Sequence, residues 1–224
     1  MKKALTHLKN CDKTMASIIT RVGPYKITYR EPTFQALARA IVFQQLNGNA
    51  ARTIYGRLEE AAGGTIAPES IQNLSVGEMR RAGLSKQKIG YLRDLAEHAL
   101  SGKLDFDKLH GMSDEEVIAT LTDIKGIGEW TAHMFLIFAL RRPNILATGD
   151  LGVRTAVQRA YRKRKLPTPA QMEKIAECWH PYRSVACWYL WRSLEFKPEN
   201  SATKKRSNGE KRVATTANSE KVPN

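Results

Sequence analysis

Residues 113–140, SDEEVIATLTDIKGIGEWTAHMFLIFAL, decide the fold. Ser113 and Glu116 have the spacing of a capping box, which opens a helix over about 114–123. That helix runs into Lys125-Gly126-Ile127-Gly128, and a second helix begins near Glu129. Two glycines two residues apart let the backbone turn tightly and approach another surface closely. The helix start just after them leaves N–H groups free at the positive end of the dipole, a site for a phosphate oxygen. Ile127, between the glycines, can plug the turn into the core. A helix–hairpin–helix with backbone phosphate chemistry is the expectation.

The flanking sequence agrees with an all-α chain. Residues 33–46, TFQALARAIVFQQL, place Phe34, Leu37, Ala38, Ile41 and Val42 on one helical face. Residues 49–62 form an Ala-rich helix that stops at Gly63-Gly64. Ser75 with Glu78 repeats the capping-box spacing, and Thr168-Pro169-Ala170-Gln171 adds a cap with proline at the first helical position. Residues 24–29, PYKITY, are the best strand candidate, and no period-2 series accompanies them. About ten short helices are expected. Residues 1–197 read as one folded unit. Residues 198–224 hold no aromatic residue and only Val213 and Val222 as large aliphatics. They read as a disordered basic tail, because so little apolar surface cannot offset the entropy of ordering.

The charge balance narrows the partner. The 224 residues carry 36 Lys+Arg against 22 Asp+Glu, a formal net charge of +14, which is the electrostatic footprint of a polyanion binder. Arg154, Arg159, Arg162, Lys163, Arg164 and Lys165 follow one another without an acidic residue, a candidate phosphate track on the helix after Asp150. Three scattered cysteines, Cys11, Cys178 and Cys187, make neither a disulfide framework nor a zinc or iron–sulfur ligand set. No apolar stretch is long enough to span a bilayer, and the basic N-terminus lacks the apolar core of an export signal. A monomer in the cytoplasm, associated with the nucleoid, is expected.

LTDIKGIGEWTA resembles the helix–hairpin–helix of the base-excision DNA glycosylases, and the alkylated-base branch most closely. ARAIVFQQL (38–46), AGLSKQKIGYLRDLA (82–96), GDLGVRTA (149–156) and PYRSVACWYLWR (181–192) follow the same family in the same order. The resemblance implies a DNA cleft between two helical subdomains and double-stranded DNA with alkylated bases as the partner. It makes Asp150, 24 residues beyond Gly126, the catalytic carboxylate. Glycosidic cleavage develops an oxocarbenium-like sugar that an adjacent anion stabilises. Aspartate is also a favoured N-cap, so position alone does not separate the two roles. Arg154 either steadies the Asp150 region or faces solvent.

The resemblance also sorts the branch. Bifunctional relatives carry a Schiff-base lysine two positions after the second hairpin glycine; here Trp130 stands there, and an indole is no such nucleophile. Monofunctional hydrolysis with water, leaving an abasic site, is implied. Trp130 and Trp191 are the implied pocket walls, where an indole face attracts a cationic purine. Met134 stands where some members have a pocket tyrosine. Trp130, Met134, Ile137 and Phe138 also have helical spacing and fit a core equally well. Base flipping needs a wedge to fill the vacated stack. Gln45 occupies the wedge position, Leu46 is the other candidate, and Gln44 is a supporting or phosphate-contact residue. Gly126, Ile127, Gly128 and Arg154 complete the implied DNA-binding set. Backbone carbonyls of Thr122, Ile124 and Ile127 are implied ligands of a monovalent cation, Na+ or K+; no other cofactor is expected. Two other readings stay open: a glycosylase for deaminated or oxidised bases, and a non-catalytic hairpin module.

Overall fold

Side-chain caps start most of the helices. Thr33, Asn47, Ser85 and Asp150 each accept a hydrogen bond from the third residue of the helix they open. The capping boxes read from the sequence form at Ser75–Glu78, Ser113–Glu116 and Thr168–Gln171. The computed structural model describes residues 1–196; the tail expected over 198–224 lies outside them. Its elements are α1 (Lys2–Cys11), α2 (Lys13–Val22), α3 (Phe34–Phe43), α4 (Gly48–Ala61), α5 (Pro68–Asn73), α6 (Val76–Arg81) and α7 (Lys86–Leu100). After these come α8 (Asp114–Thr122), α9 (Glu129–Phe138), α10 (Leu151–Ala160), α11 (Pro169–Ile175) and α12 (Arg183–Ser193), with two short 3-10 turns. That is twelve α-helices rather than the ten expected, because the chain between residues 66 and 82 makes two six-residue helices.

No strand forms among the described residues, so the fold is all-α. The strand expected over 24–29 is instead a crossing segment. Tyr25 packs edge-on against Trp188, and Ile27 touches both cores. The segment finds no partner strand; the first backbone bond after it joins the Arg30 N–H to the Phe138 carbonyl at 2.8 Å. A lone extended stretch satisfies its backbone in other ways than a ladder.

Apolar burial divides the protein into two cores. One takes its side chains from residues 34–145, including Leu37, Ile41, Leu92, Val117, Ile127 and Leu136. The other combines α1 and α2 with residues 146–190, among them Leu8, Met15, Val157, Trp179 and Tyr189. The chain therefore leaves the second lobe after α2, builds the first lobe, and returns between Ile145 and Leu146. Asp12 ties the two ends of the second lobe together. It caps α2 and also accepts hydrogen bonds from Tyr161 at 2.5 Å and from the Trp179 indole at 2.9 Å. Ile27, Met134 and Trp191 pack against both cores and mark the seam.

Candidate active site

The seam is where the chemistry-bearing residues meet. Asp150 is the N-cap of α10, four residues after the chain re-enters the second lobe, and it is 9% exposed. Its Oδ1 accepts the Val153 N–H at 2.7 Å, as a cap does. The same oxygen accepts the Trp191 indole N–H at 2.7 Å, and Oδ2 accepts the Trp130 indole N–H at 2.7 Å. Trp130 stands at the start of α9, which belongs to the first lobe, so its bond to Asp150 crosses the seam. Trp130 is 48% exposed, so its ring faces solvent while its N–H is held. Trp191 is half-buried and stacks on Phe138, with centroids 5.7 Å apart and planes at 29°. Met134 is half-buried and packs against both cores.

The neighbouring aromatics of α12 are spent elsewhere. Trp188 and Tyr189 lie in the second core, and the Tyr189 hydroxyl donates to the Gly23 carbonyl at 3.0 Å. Trp191 is the indole of that helix that reaches the carboxylate.

Gly152 is a site residue that sequence reading passed over. A Cβ there would sit 3.0 Å from Asp150 Oδ1 and 3.0 Å from Trp191 Cδ1. Only glycine leaves the carboxylate and the indole in contact; the signal was the glycine two residues after the aspartate in GDLGV. Leu151, also passed over, is a large apolar side chain left exposed beside Asp150.

Arg154 goes elsewhere than the carboxylate. Its Nε donates to the Pro167 carbonyl at 3.0 Å, which fastens the loop after α10. The expected basic helix is also shorter than read. α10 ends at Ala160, and Arg162 takes a left-handed φ of 52°, so 162–165 form a loop. Its Lys163, Arg164 and Lys165 line one surface groove with Gln171, while Arg21, Arg159 and Arg162 border a second of about 330 Å3.

The hairpin forms as read. Ile127 is buried in the first core, and its N–H closes the turn on the Ile124 carbonyl at 3.0 Å. Gly128 is the N-cap of α9 and gives no side-chain cap, so the first N–H groups of that helix stay available. Gly126 has φ 85°, and a Cβ on it would lie 2.2 Å from the Tyr91 ring. The turn thus rests flat on Tyr91. Among the described residues no hydrogen bond reaches the Thr122 or Ile127 carbonyl oxygens, while the Ile124 carbonyl already accepts one. Two free carbonyls at one turn fit a monovalent cation, which prefers oxygen ligands.

The loop between α3 and α4 stands next to the hairpin. Gln45 and Leu46 are exposed, and Gln45 takes a left-handed φ of 56°. Such a conformation in a non-glycine residue costs of order 1–3 kcal/mol and needs surrounding contacts to hold it. Gln44 supplies one: its amide donates to the Gly126 carbonyl at 2.8 Å. The Gln44 side chain therefore faces the hairpin.

Further support comes from α7, whose role the sequence did not disclose. Lys88 donates to the Val42 carbonyl at 2.6 Å and the Gln44 carbonyl at 2.7 Å, satisfying the orphan acceptors at the end of α3. Asp94 accepts the Lys125 backbone N–H at 2.8 Å and its ammonium at 3.0 Å. Burial pushes the Asp94 carboxyl up, but these two bonds and the Lys125 charge outweigh it and hold the group below its ordinary value. His98 bonds the Asp94 carbonyl at 2.8 Å and Asp123 at 3.1 Å.

Two helical lobes thus meet at the seam, with a glycine hairpin on one and a carboxylate from the other. A family model described as the HhH-GPD superfamily base excision DNA repair protein matches residues 38–181, and the chain belongs to that superfamily. Among its relatives, DNA-3-methyladenine glycosylase 1 of Schizosaccharomyces pombe is 35% identical over 200 residues, which cover 86% of this chain and 87% of that protein. The crystal structure of a DNA-3-methyladenine glycosidase from Bacillus halodurans superposes with a TM-score of 0.78 at 38% identity, covering 85% of this chain and 88% of that one. The Schizosaccharomyces pombe 3-methyladenine DNA glycosylase Mag1, solved in complex with abasic DNA, gives 0.77 at 34% identity, covering 88% and 99%.

Proposed function

We propose that the protein is a monofunctional DNA glycosylase that hydrolyses the N-glycosidic bond of alkylated purines, of the 3-methyladenine and 7-methylguanine type, in duplex DNA. The observation that carries this reading is the Asp150 carboxylate at the seam, held by two indole N–H groups with one of the indoles exposed. The relatives named for 3-methyladenine excision support the substrate class.

The residues divide the work. Asp150 places negative charge beside the deoxyribose, where the departing base leaves an oxocarbenium-like sugar. Oδ1 is occupied by two donors and Oδ2 by one, so Oδ2 is the oxygen with room to orient the attacking water. Trp130 gives the flipped purine a face. A cationic base on a desolvated indole gains about 2 kcal/mol, and a neutral base lacks that attraction. Such a base is already a good leaving group, and no lysine stands at Trp130 to attack the sugar, so an uncut abasic strand is the product.

Gln45, with Leu46 beside it, enters the duplex as the base leaves. The hairpin N–H groups hold a backbone phosphate. Na+ or K+ on the Thr122, Ile124 and Ile127 carbonyls would add positive charge against that phosphate. Asp150→Asn tests the reading, because asparagine caps a helix as well as aspartate does. Single-turnover excision of 3-methyladenine from a duplex should fall roughly 10²–10³-fold with DNA binding retained. Turnover equal to wild type would remove Asp150 from the chemistry. Parallel duplexes with hypoxanthine and 8-oxoguanine separate this substrate class from deaminated and oxidised bases.

A further inference from the structure

One face of α7 carries Lys88, Tyr91, Asp94 and His98 at spacings of three, three and four residues, the repeat that aligns side chains along a helix. Lys88, at its N-terminal end, holds the end of α3 and the start of the 44–46 loop. Tyr91 lies under Gly126, Asp94 holds Lys125, and His98 reaches Asp123. Gln44 closes the circuit from the loop to the Gly126 carbonyl. Two surface loops more than 75 residues apart in sequence are thus bolted to one rigid rod and to each other.

We propose that this face of α7 sets the distance between the hairpin and the 44–46 loop, with Lys88 and Asp94 as positioning residues that touch no substrate. The hairpin takes its register from a backbone phosphate, and α7 carries that register to the loop, so gripping the strand places Gln45 where the base must leave. The left-handed backbone of Gln45 is held by the same anchors, Lys88 on the Gln44 carbonyl and Gln44 on the hairpin. This inference rests on the glycosylase reading for its effect on catalysis, though the coupling itself does not.

The test compares the wild-type chain with Lys88→Met, Lys88→Arg and Gln44→Leu. Methionine keeps much of the stem and removes the ammonium. In Lys88→Met, base flipping, read by 2-aminopurine fluorescence, and single-turnover excision should each fall about tenfold or more. Affinity for undamaged duplex should change less than threefold. Lys88→Arg should recover most of the flipping, and Gln44→Leu should lose it as Lys88→Met does. Amide hydrogen exchange, measured without DNA, should rise together in residues 44–47 and 124–128 of Lys88→Met. Faster exchange in the loop with an unchanged hairpin would overturn the coupling. So would wild-type flipping in Lys88→Met, or equal losses of flipping and undamaged-duplex affinity. If the wild-type chain excises nothing while the joint rise in exchange is seen, the glycosylase reading fails and the coupling stands.

Discussion

At the residue scale, Asp150 and Trp130 have to be considered as a pair. The cap bond to Val153 and the two indole bonds fix the carboxylate in one orientation before any substrate arrives, the preorganisation that makes a charge effective in catalysis. Under the proposed function Trp130 has two separable contributions: a π face for the base and the N–H that it gives the acid. Trp130→Phe keeps a face and deletes the donor; Trp130→Ala removes both. We expect the phenylalanine variant to lose roughly tenfold in single-turnover excision and the alanine variant roughly 30-fold or more, the kinetic equivalent of about 2 kcal/mol. Equal activity of Trp130→Phe and wild type would show that the indole N–H does not help position the carboxylate. The pairing was half legible in the sequence. The resemblance nominated Asp150, Trp130 and Trp191 separately, but no spacing rule states that two indoles 61 residues apart point at one carboxylate. Gly152 was hidden for the same reason, because its necessity arises only once Trp191 lies against α10.

At the element scale, local signals survived and long-range ones did not. The three capping boxes and the glycine hairpin are encoded within a few residues, and they form where the sequence places them. Lys88 and Asp94 carry no such signal: a lysine and an aspartate on a helix look like solvated charges until the turns they hold are folded over them. The PYKITY stretch failed in the opposite direction. Its β-branched and aromatic residues suit a strand, but they serve the seam and the second core. Helix α9 carries its own pH dependence. Burial of His133 pulls the imidazole below its ordinary value of 6.5, with Glu129 and Glu173 opposing. The unfolded chain then binds the proton more readily than the folded one, so this contribution to stability is present above pH 6.5 and is lost as pH falls through the folded value. Urea midpoints measured from pH 7 to pH 5 should therefore fall, and fall less for His133→Leu. Identical slopes in the two proteins would remove His133 from the effect.

At the scale of the whole molecule, the second lobe is built from both ends of the folded chain, and the first lobe is inserted between them. Sequence periodicity and caps found several helices of the first lobe, but not α1, α2 or α12, nor that α1 and α2 pack with α10 and α12, since apolar faces do not name their partners. The acid arrives from one lobe and the hairpin and Trp130 from the other, so a duplex bound across the seam meets both. Lys+Arg outnumber Asp+Glu by 36 to 22, and 162–165 form an exposed basic loop beyond α10. Phosphate contacts of this kind release counterions, and binding to undamaged duplex should weaken about tenfold or more between 50 and 200 mM salt. A salt-independent affinity would contradict an interface built on phosphates.

The chain has four tryptophans, and Trp130 and Trp191 both donate to the same anion. Trp179 and Trp188 are buried in the second core. The protein thus carries its own optical probe: ultraviolet emission from the half-exposed Trp130 should shift or quench when a purine stacks on it, so damage encounter can be timed by stopped flow on unlabelled protein.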